Sequence, residues 1–127
     1  LTAIEADDPA AMIAWGARAQ PADFATLAPV VLRVAATGDL RANTLLGLAV
    51  EELALHVRTL ARRLFVDERA ATPVAFAGGL LSRGSPLRKL LEQRLRTAVP
   101  GAQVRTEDVE PARGAVRGAL RLLGVEL

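Results

Sequence analysis

Residues 72–91 read TPVAFAGGLLSRGSPLRKLL, and this stretch decides the fold class. Its first part, Thr72–Phe76, is short, apolar and partly β-branched, which is typical of a buried strand. The strand runs into Ala77, Gly78 and Gly79, a tight turn. Ser85 and Pro86 then supply a helix cap and a proline at the first helical position. The stretch therefore predicts a strand, a turn and a helix in that order.

The same order is repeated towards the C-terminus. Pro100 and Gly101 end the helix, and residues 103–106 (QVRT) predict a second short strand. Pro111 opens a last helix. A βαβα unit of this kind calls for parallel strands and a right-handed crossover. The helix after Ser85 has an apolar face of Leu87, Leu91 and Leu95 with Leu90 and Ala98 beside it, and the last helix carries Ala115, Ala119, Leu120 and Leu123.

The N-terminal part of the chain predicts helices. Asp8 and Pro9 begin one that runs to about Ala19, with Met12, Ile13 and Trp15 among its apolar residues. A second helical stretch follows Pro21, and Pro29 predicts a kink or a restart within it. Gly38 ends that stretch, and Asp39 is placed to cap the next helix.

The third predicted helix is long and amphipathic. Its apolar residues recur at alternating four- and three-residue steps, which places them on one helical face. This face consists of Leu46, Val50, Leu53, Val57, Leu60 and Leu64. The charged residues Glu51, Glu52, Arg58, Arg62 and Arg63 lie mostly away from it, as expected of a solvated, salt-bridged surface rather than a partner-binding patch.

The fold class that follows is α/β, with three N-terminal helices before a βαβα unit. We divide the chain into a helical part, 1–71, and a βαβα part, 72–127. Two strands cannot make a sheet with two covered faces, so further strands are expected from elsewhere in a larger protein. The first residue is Leu1 rather than Met, which also suggests a fragment or a processed chain. An exposed sheet edge predicts dimers or aggregation.

Composition excludes several functions. The chain has 127 residues and no cysteine, so disulfides and thiolate metal sites are excluded. Sixteen basic residues face fourteen acidic ones, and aromatic residues make up 3%. A single-strand nucleic-acid binder needs aromatic stacking platforms, so nucleic-acid binding is disfavoured. No apolar run approaches the ~20 residues that span a bilayer, and residues 1–8 do not resemble a signal peptide. A cytoplasmic protein is expected.

The turn after the first strand is the candidate binding site. Ligands of open α/β sheets bind just beyond the C-terminal ends of strands. Paired glycines at that point reach backbone angles closed to other residues and remove Cβ atoms that would hold a flat ring away. Gly78 and Gly79 taken alone also fit a plain glycine turn between a strand and a helix.

The wider segment favours the binding site, because residues 73–81 and 85–91 resemble the adenosine motif of the sugar kinase, actin and heat-shock chaperone superfamily. The resemblance is closest to the BadF/BadG/BcrA/BcrD ATPase family, which includes N-acetylglucosamine kinases. Other blocks are similar in the same order. They are Trp15, residues 24–31 (FATLAPVV), residues 35–39 (AATGD) with Ala42, and residues 110–115 (EPARGA).

This resemblance implies an ATP-dependent amino-sugar kinase built from two ribonuclease-H-like lobes, of which the chain is part of the nucleotide-side, actin-like ATPase lobe. Phosphate loops earlier in such a kinase hold Mg²⁺ and the ATP phosphates, and an acidic residue acts as base. The chain shows neither a DxGxT-like hairpin nor a GTGS-like loop. The residues that remain for adenine and ribose are Gly78, Gly79, Leu80 and, more weakly, Ser82.

No catalytic or metal-binding residue is assigned. Asp7, Asp8 and Asp39 are interpreted as helix caps. His56 is the sole histidine and has no partner for a metal site, so packing or a boundary position beside the buried stripe is expected rather than catalysis. Ser85 is interpreted as a helix cap rather than a nucleophile. The GxxxG spacing of residues 114–118 predicts close packing of the last helix on a sheet.

Two alternatives stay open at this point. The same family includes ATPase activators of redox enzymes, which hold an iron–sulfur cluster through cysteines that this chain does not have. A non-catalytic helical interaction module would explain the amphipathic helices but not the strand–Gly-Gly–helix unit. The kinase hypothesis implies an N-terminal lobe and an amino sugar as partners, with a homodimer as a further possibility. It also predicts weak or no ATP binding by the chain alone.

Overall fold

The computed structural model describes residues 4, 6–65, 71–107 and 109–125. Its contacts divide the chain into two compact units, Leu1–Leu48 and Ala49–Leu127. The helices are α1 (Pro9–Arg18), α2 (Pro21–Ala25), α3 (Ala28–Ala36), α4 (Leu40–Leu64), α5 (Pro86–Ala98) and α6 (Pro111–Leu122). The strands are β1 (Thr72–Val74) and β2 (Ala102–Val104), and a short 3-10 helix spans Gly79–Leu81.

The helix starts follow the predicted capping residues. The Asp8 carboxylate accepts a hydrogen bond from the Ala11 N–H at 2.7 Å and caps α1. Asp39 is the residue before α4, and its carboxylate accepts a hydrogen bond from the Ala42 N–H at 2.8 Å. Each satisfies one backbone donor that the first helical turn leaves free. Both predictions are confirmed, whereas Asp7 is not a cap and lies one residue before Asp8.

The second predicted helical stretch is two helices, α2 and α3, with the restart expected near Pro29. Its end at Gly38 is also confirmed, since this glycine has φ of +90°. In this first unit Trp15 and Phe24 meet edge to face, with ring centroids 5.1 Å apart. The Asn43 side-chain amide donates to the Ala35 carbonyl at 3.0 Å and ties α3 to the start of α4.

The apolar stripe of α4 agrees with the prediction only over its first half. Leu46 and Val50 are buried, and Leu53 and Val57 are half-buried. Leu60 and Leu64 are exposed, contrary to the prediction. The buried positions are Ala42, Leu46, Val50, Ala54 and Ala61. Alanine is small and allows a neighbouring element to approach this face closely. The spacing of the leucines alone does not predict which alanines are buried.

The two strands pair in parallel, with Thr72 opposite Ala102 and Val74 opposite Val104. The described chain is thus mostly helical with a small parallel sheet, which is compatible with the α/β class. The first strand ends at Val74 rather than at Phe76. β2 begins one residue earlier than predicted and ends at Val104 rather than at Thr106. A ribonuclease-H-like lobe and the division at residues 71 and 72 stay predictions.

Helix α5 supplies the centre of the second unit. Leu87, Leu91 and Leu95 are buried as predicted, and the last two are almost completely inaccessible to solvent. Leu90 was predicted to lie beside them but is 40% exposed. It lies one residue off the buried row and faces solvent instead. Other buried apolar residues of this unit are Val50, Ala54, Ala61, Phe76 and Val99.

An ion pair joins α4 to α5 within the second unit. The Arg94 Nε lies 2.6 Å from the Glu51 carboxylate, and the Arg94 Nη2 donates to its other oxygen at 2.9 Å. The hydrogen bond from Arg94 lowers the pKa of Glu51 and raises the pKa of Arg94. The charged side of α4 is solvent-exposed, as predicted.

Helix α6 buries none of its residues. Val116, Leu122 and Leu123 are 58%, 91% and 77% exposed. A Cβ added at Gly114 or Gly118 would meet no atom within 4 Å. The prediction that this helix packs closely on a sheet through its glycines is therefore wrong for the part of the chain that the structure describes. None of the helices in those ranges has the length and apolar character needed to cross a bilayer.

Candidate functional site

The glycine pair follows the first strand through a short connection. β1 ends at Val74, and the next large side chain, Phe76, is buried with 4% of its surface exposed. Phe76 anchors the connection to the core of the second unit, while Ala77, Gly78 and Gly79 lie exposed after it. Three residues, Ala75, Phe76 and Ala77, therefore connect the strand's C-terminal end to the glycine pair.

The two glycines have different conformations. Gly78 has φ of +93° and ψ of 159°, a backbone conformation that side chains with a Cβ rarely adopt. Gly79 begins the short 3-10 helix and does not have a positive φ. A Cβ at either position would meet no atom within 4 Å. Glycine is thus required by backbone geometry at Gly78 alone, and the space beside both is open.

Leu80 and Ser82 complete the predicted set. Leu80 is 44% exposed, which leaves an apolar surface beside the glycines. The Ser82 hydroxyl donates to the Gly79 carbonyl at 2.9 Å and closes the 3-10 turn. Ser85 is the residue before α5, but its hydroxyl donates to the Leu80 carbonyl and makes no capping hydrogen bond. Ser85 therefore holds the loop rather than the helix.

A buried arginine fastens this loop to the ends of both strands. Arg88, on α5, is only 5% exposed. Its guanidinium donates to the carbonyls of Leu81 and Arg105, each at 3.3 Å, and lies 5.3 Å from the centre of the Phe76 ring. Its Nε donates to Glu92 at 2.9 Å, one helical turn further along. These contacts compensate the cost of removing a cation from water.

A second arginine reaches the same place from the loop itself. The Nε and Nη2 of Arg83 donate to the Thr106 carbonyl at 3.2 and 2.8 Å. Arg88 Nη2 approaches the same oxygen at 3.5 Å. The backbone just beyond β2 is therefore held by two cations, one exposed on the loop and one buried under it.

A groove of about 590 Å³ runs beside α5 and β2. The predicted residues Gly78, Gly79, Leu80 and Ser82 do not line it; the loop contributes Arg83 and Gly84. Five of the residues that line it are cationic and one is acidic. They are Arg83, Arg88, Lys89, Arg96 and Arg105, with Glu92 as the acid.

The other side chains considered in the sequence do not form a second site. His56 is exposed rather than packed, and its Nε2 lies 4.0 Å from the Glu52 carboxylate. In the described ranges no group of three or more His, Cys, Asp and Glu side chains is placed to hold a metal ion.

Arg88 is not among the site residues predicted from the sequence. A signal was present, since Arg88, Leu91 and Leu95 stand three and four residues apart on one helical face. Glu92 at the fourth position after Arg88 is also the spacing of a helical ion pair. A cation at a buried-face position with an acid one turn later indicates a buried, paired arginine.

Comparisons with known proteins point in one direction. An N-acetyl-D-glucosamine kinase of Dictyostelium discoideum is 28% identical to this chain over 97 residues. The match covers 76% of this chain and 30% of that kinase. The chain therefore spans about a third of the length of this relative. No family model matches the chain, and no solved structure matches it. A distant similarity to a sugar kinase is what these comparisons support.

Proposed function

We propose that this chain is the C-terminal, nucleotide-side portion of an ATP-dependent amino-sugar kinase. The carrying observation is the exposed Gly78–Gly79 backbone beyond the C-terminal end of a parallel strand. The similarity to an N-acetyl-D-glucosamine kinase over 97 residues supports the same assignment. Ligand sites of α/β proteins lie at such strand ends.

In this proposal the loop is a wall for adenine and ribose. The open space at Gly78 and Gly79 lets a flat ring approach the backbone, and the exposed Leu80 gives it an apolar contact. Ser82 stiffens the turn through its bond to the Gly79 carbonyl. ATP, with Mg²⁺ on its phosphates, would supply the transferred phosphoryl group. Because this chemistry depends mainly on positioning, a rigid wall contributes to rate as well as to affinity.

Arg88 has a positioning role in this proposal. It joins the loop carbonyl of Leu81 to the backbone beyond β2 and lies beside Phe76. The wall is thereby held at a fixed distance from the strand ends. The sugar pocket, the phosphate loops and the base would belong to other parts of a cytoplasmic kinase.

A coupled kinase assay of the gene product that carries these residues tests the proposal. With ATP and N-acetylglucosamine we expect phosphorylation of the sugar. Gly79→Ala is expected to raise the KM for ATP on the order of tenfold, because the added methyl occupies space meant for the nucleotide. The KM for the sugar should stay unchanged, since the substitution does not strain the backbone at this non-positive φ.

Gly118→Ala is the matched control. It adds the same methyl to an exposed glycine on α6, where a Cβ likewise meets nothing within 4 Å. We expect no change in the KM for ATP. Absence of ATP-dependent turnover with any amino sugar, or an unchanged KM for ATP in Gly79→Ala, would refute the proposal.

A further inference from the structure

The two outer edges of the strand pair differ in the hydrogen-bonding groups they offer. The Thr72 N–H donates to the Gly101 carbonyl at 2.8 Å, and the Val74 carbonyl accepts from the Arg105 N–H at 2.9 Å. The N–H and C=O of one strand residue point to the same side, so Pro73, between them, faces away from β2. Because proline has no N–H, this outer edge cannot donate there.

The outer edge of β2 is open by the same argument. Gly101 and Arg105 bond to β1, so Ala102 and Val104 present their backbone to the other side. The Ala102 N–H is used by the Val99 carbonyl at 2.9 Å. In the sheet that the described residues form, β1 is the neighbour of β2. Val104 therefore offers a donor and an acceptor, and Ala102 offers an acceptor.

The groove of about 590 Å³ lies along this open edge. Apolar side chains contribute to its lining: Leu95, Ala102 and Val104. Its cations include Lys89, Arg96 and Arg105, which are exposed. The carboxylate in the lining, Glu92, is already paired with Arg88 at 2.9 Å. The surface therefore combines strand-edge backbone, an apolar lining and an excess of positive charge.

An acidic, extended peptide fits these three properties together. In strand addition the backbone bonds to the open edge, and alternate side chains enter the neighbouring pockets. Carboxylates on the peptide would meet Lys89, Arg96 and Arg105. A second copy of this chain fits less well, because two β2 strands paired about a two-fold axis would bring the same cations together. Nucleic-acid strands lack stacking partners, since none of the described lining residues is aromatic.

We propose that the groove beside α5 and β2 binds an extended acidic peptide of a partner protein as an added strand on β2. The peptide would pair its backbone with Val104 and place its acidic side chains against Lys89, Arg96 and Arg105. This interaction goes beyond the kinase function. It would use the edge of the sheet without proline, in a groove to which the loop after Gly79 contributes Arg83 and Gly84.

Fluorescence anisotropy tests the proposal with the full chain and a short labelled peptide of alternating glutamate and valine. We expect saturable binding that weakens as salt is added. The double substitution Lys89→Glu and Arg96→Glu should weaken binding about tenfold, because two rim attractions become repulsions. The double substitution Arg41→Glu and Arg63→Glu on α4 is the charge-matched control; both arginines are exposed and lie outside the groove lining, so binding should be unchanged.

A second arm tests the backbone pairing. Two peptides are N-methylated on alternate amides, one on each set of residues, so that each loses the N–H donors along one edge. The peptide that loses the donors facing β2 should bind on the order of tenfold more weakly than the other. Hydrogen exchange of the Val104 amide should slow when the unmethylated peptide is bound. Circular dichroism of each variant confirms that the helices are retained.

Four results of the experiments with added peptide would overturn the proposal. They are the absence of binding, equal binding of a lysine–valine peptide, equal loss of binding in the double variant Arg41→Glu and Arg63→Glu, and equal binding of both N-methylated peptides. Protection of the Val104 amide that rises with protein concentration in the absence of peptide would assign the edge to a second copy and would also overturn it.

Discussion

At the scale of single residues, Arg88 and Gly78 determine the geometry of the loop. Arg88 is a buried cation whose hydrogen bonds reach the 3-10 turn and the backbone beyond β2. Gly78 supplies the positive φ with which the chain enters that turn. Arg88 acts through its side chain, and Gly78 acts because it has none. Each role can be tested by substitution.

Arg88→Met should lower the free energy of unfolding by about 3 kcal/mol, since the buried carbonyl contacts and the Glu92 pair are lost together. The midpoint of urea denaturation measures this change. Arg96→Met, an exposed position on the same helix, should change it by less than about 0.5 kcal/mol. Equal effects of the two substitutions would show that the Arg88 contacts do not stabilise the fold.

Gly78→Ala should destabilise the chain by about 1 to 2 kcal/mol, because alanine is strained at φ of +93° although its Cβ meets no atom. Gly79→Ala is the neighbouring control and should change stability by less than about 0.5 kcal/mol. Thermal unfolding of both variants distinguishes them. Equal stability would mean that the loop readjusts and that Gly78 is not conformationally required.

At the scale of elements, most local boundaries follow from short signals, and most errors concern which face is covered. α1, α3, α5 and α6 have proline in their first turn, and Gly38 ends α3 with a positive φ. Leu60, Leu64 and Leu90 match the apolar pattern but are exposed. Periodicity identifies an apolar side of a helix; burial also requires a neighbouring element along its whole length.

The link between α4 and α5 predicts a dependence of stability on pH. The pKa of Glu51 is lowered from its ordinary value of 4.5 by the hydrogen bond from Arg94. A carboxylate with a lowered folded-state pKa stabilises the fold above its unfolded pKa, and the contribution is lost as the pH falls through the folded value. Glu51→Gln should therefore lower the melting temperature slightly at neutral pH, because the pair is exposed.

The difference between wild type and Glu51→Gln should shrink as the pH falls below 4.5, the ordinary pKa, and through the lower pKa of the folded carboxylate. Melting temperatures measured from neutral pH down to the acid range test this. Glu52→Gln, on the exposed side of the same helix, is the control and should show a smaller difference at neutral pH. A constant difference at every pH would contradict the role assigned to the Glu51–Arg94 pair.

At the scale of the whole molecule, apolar surface is left on α6. Val116 and Leu120 line a shallow depression, and Leu122 and Leu123, at the end of the helix, are exposed. Large exposed apolar patches are typical of surfaces that associate with another protein. Proline at the outer edge of β1 and the cations along β2 oppose strand-to-strand association. Association of identical copies is therefore expected through α6.

The mass measured by light scattering should rise with protein concentration for the wild-type chain. Val116→Glu should weaken this association on the order of tenfold, since a charge replaces an apolar contact. Arg105→Glu, which lies beside β2, should not weaken it. Greater loss of association in Arg105→Glu than in Val116→Glu would place the contact at the sheet instead.

The sequence by itself determined the order of helices and the glycine turn, because capping residues, prolines and glycines act through local backbone geometry. The parallel strand pair followed from the strand–helix–strand order, which requires a crossover connection. The tertiary structure decided that Arg88 is buried, that Ser85 bonds to the loop and that α6 is exposed. Whether a cation or a leucine meets solvent depends on what packs against it in space. That information comes from elements distant in the chain, not from spacing within one helix.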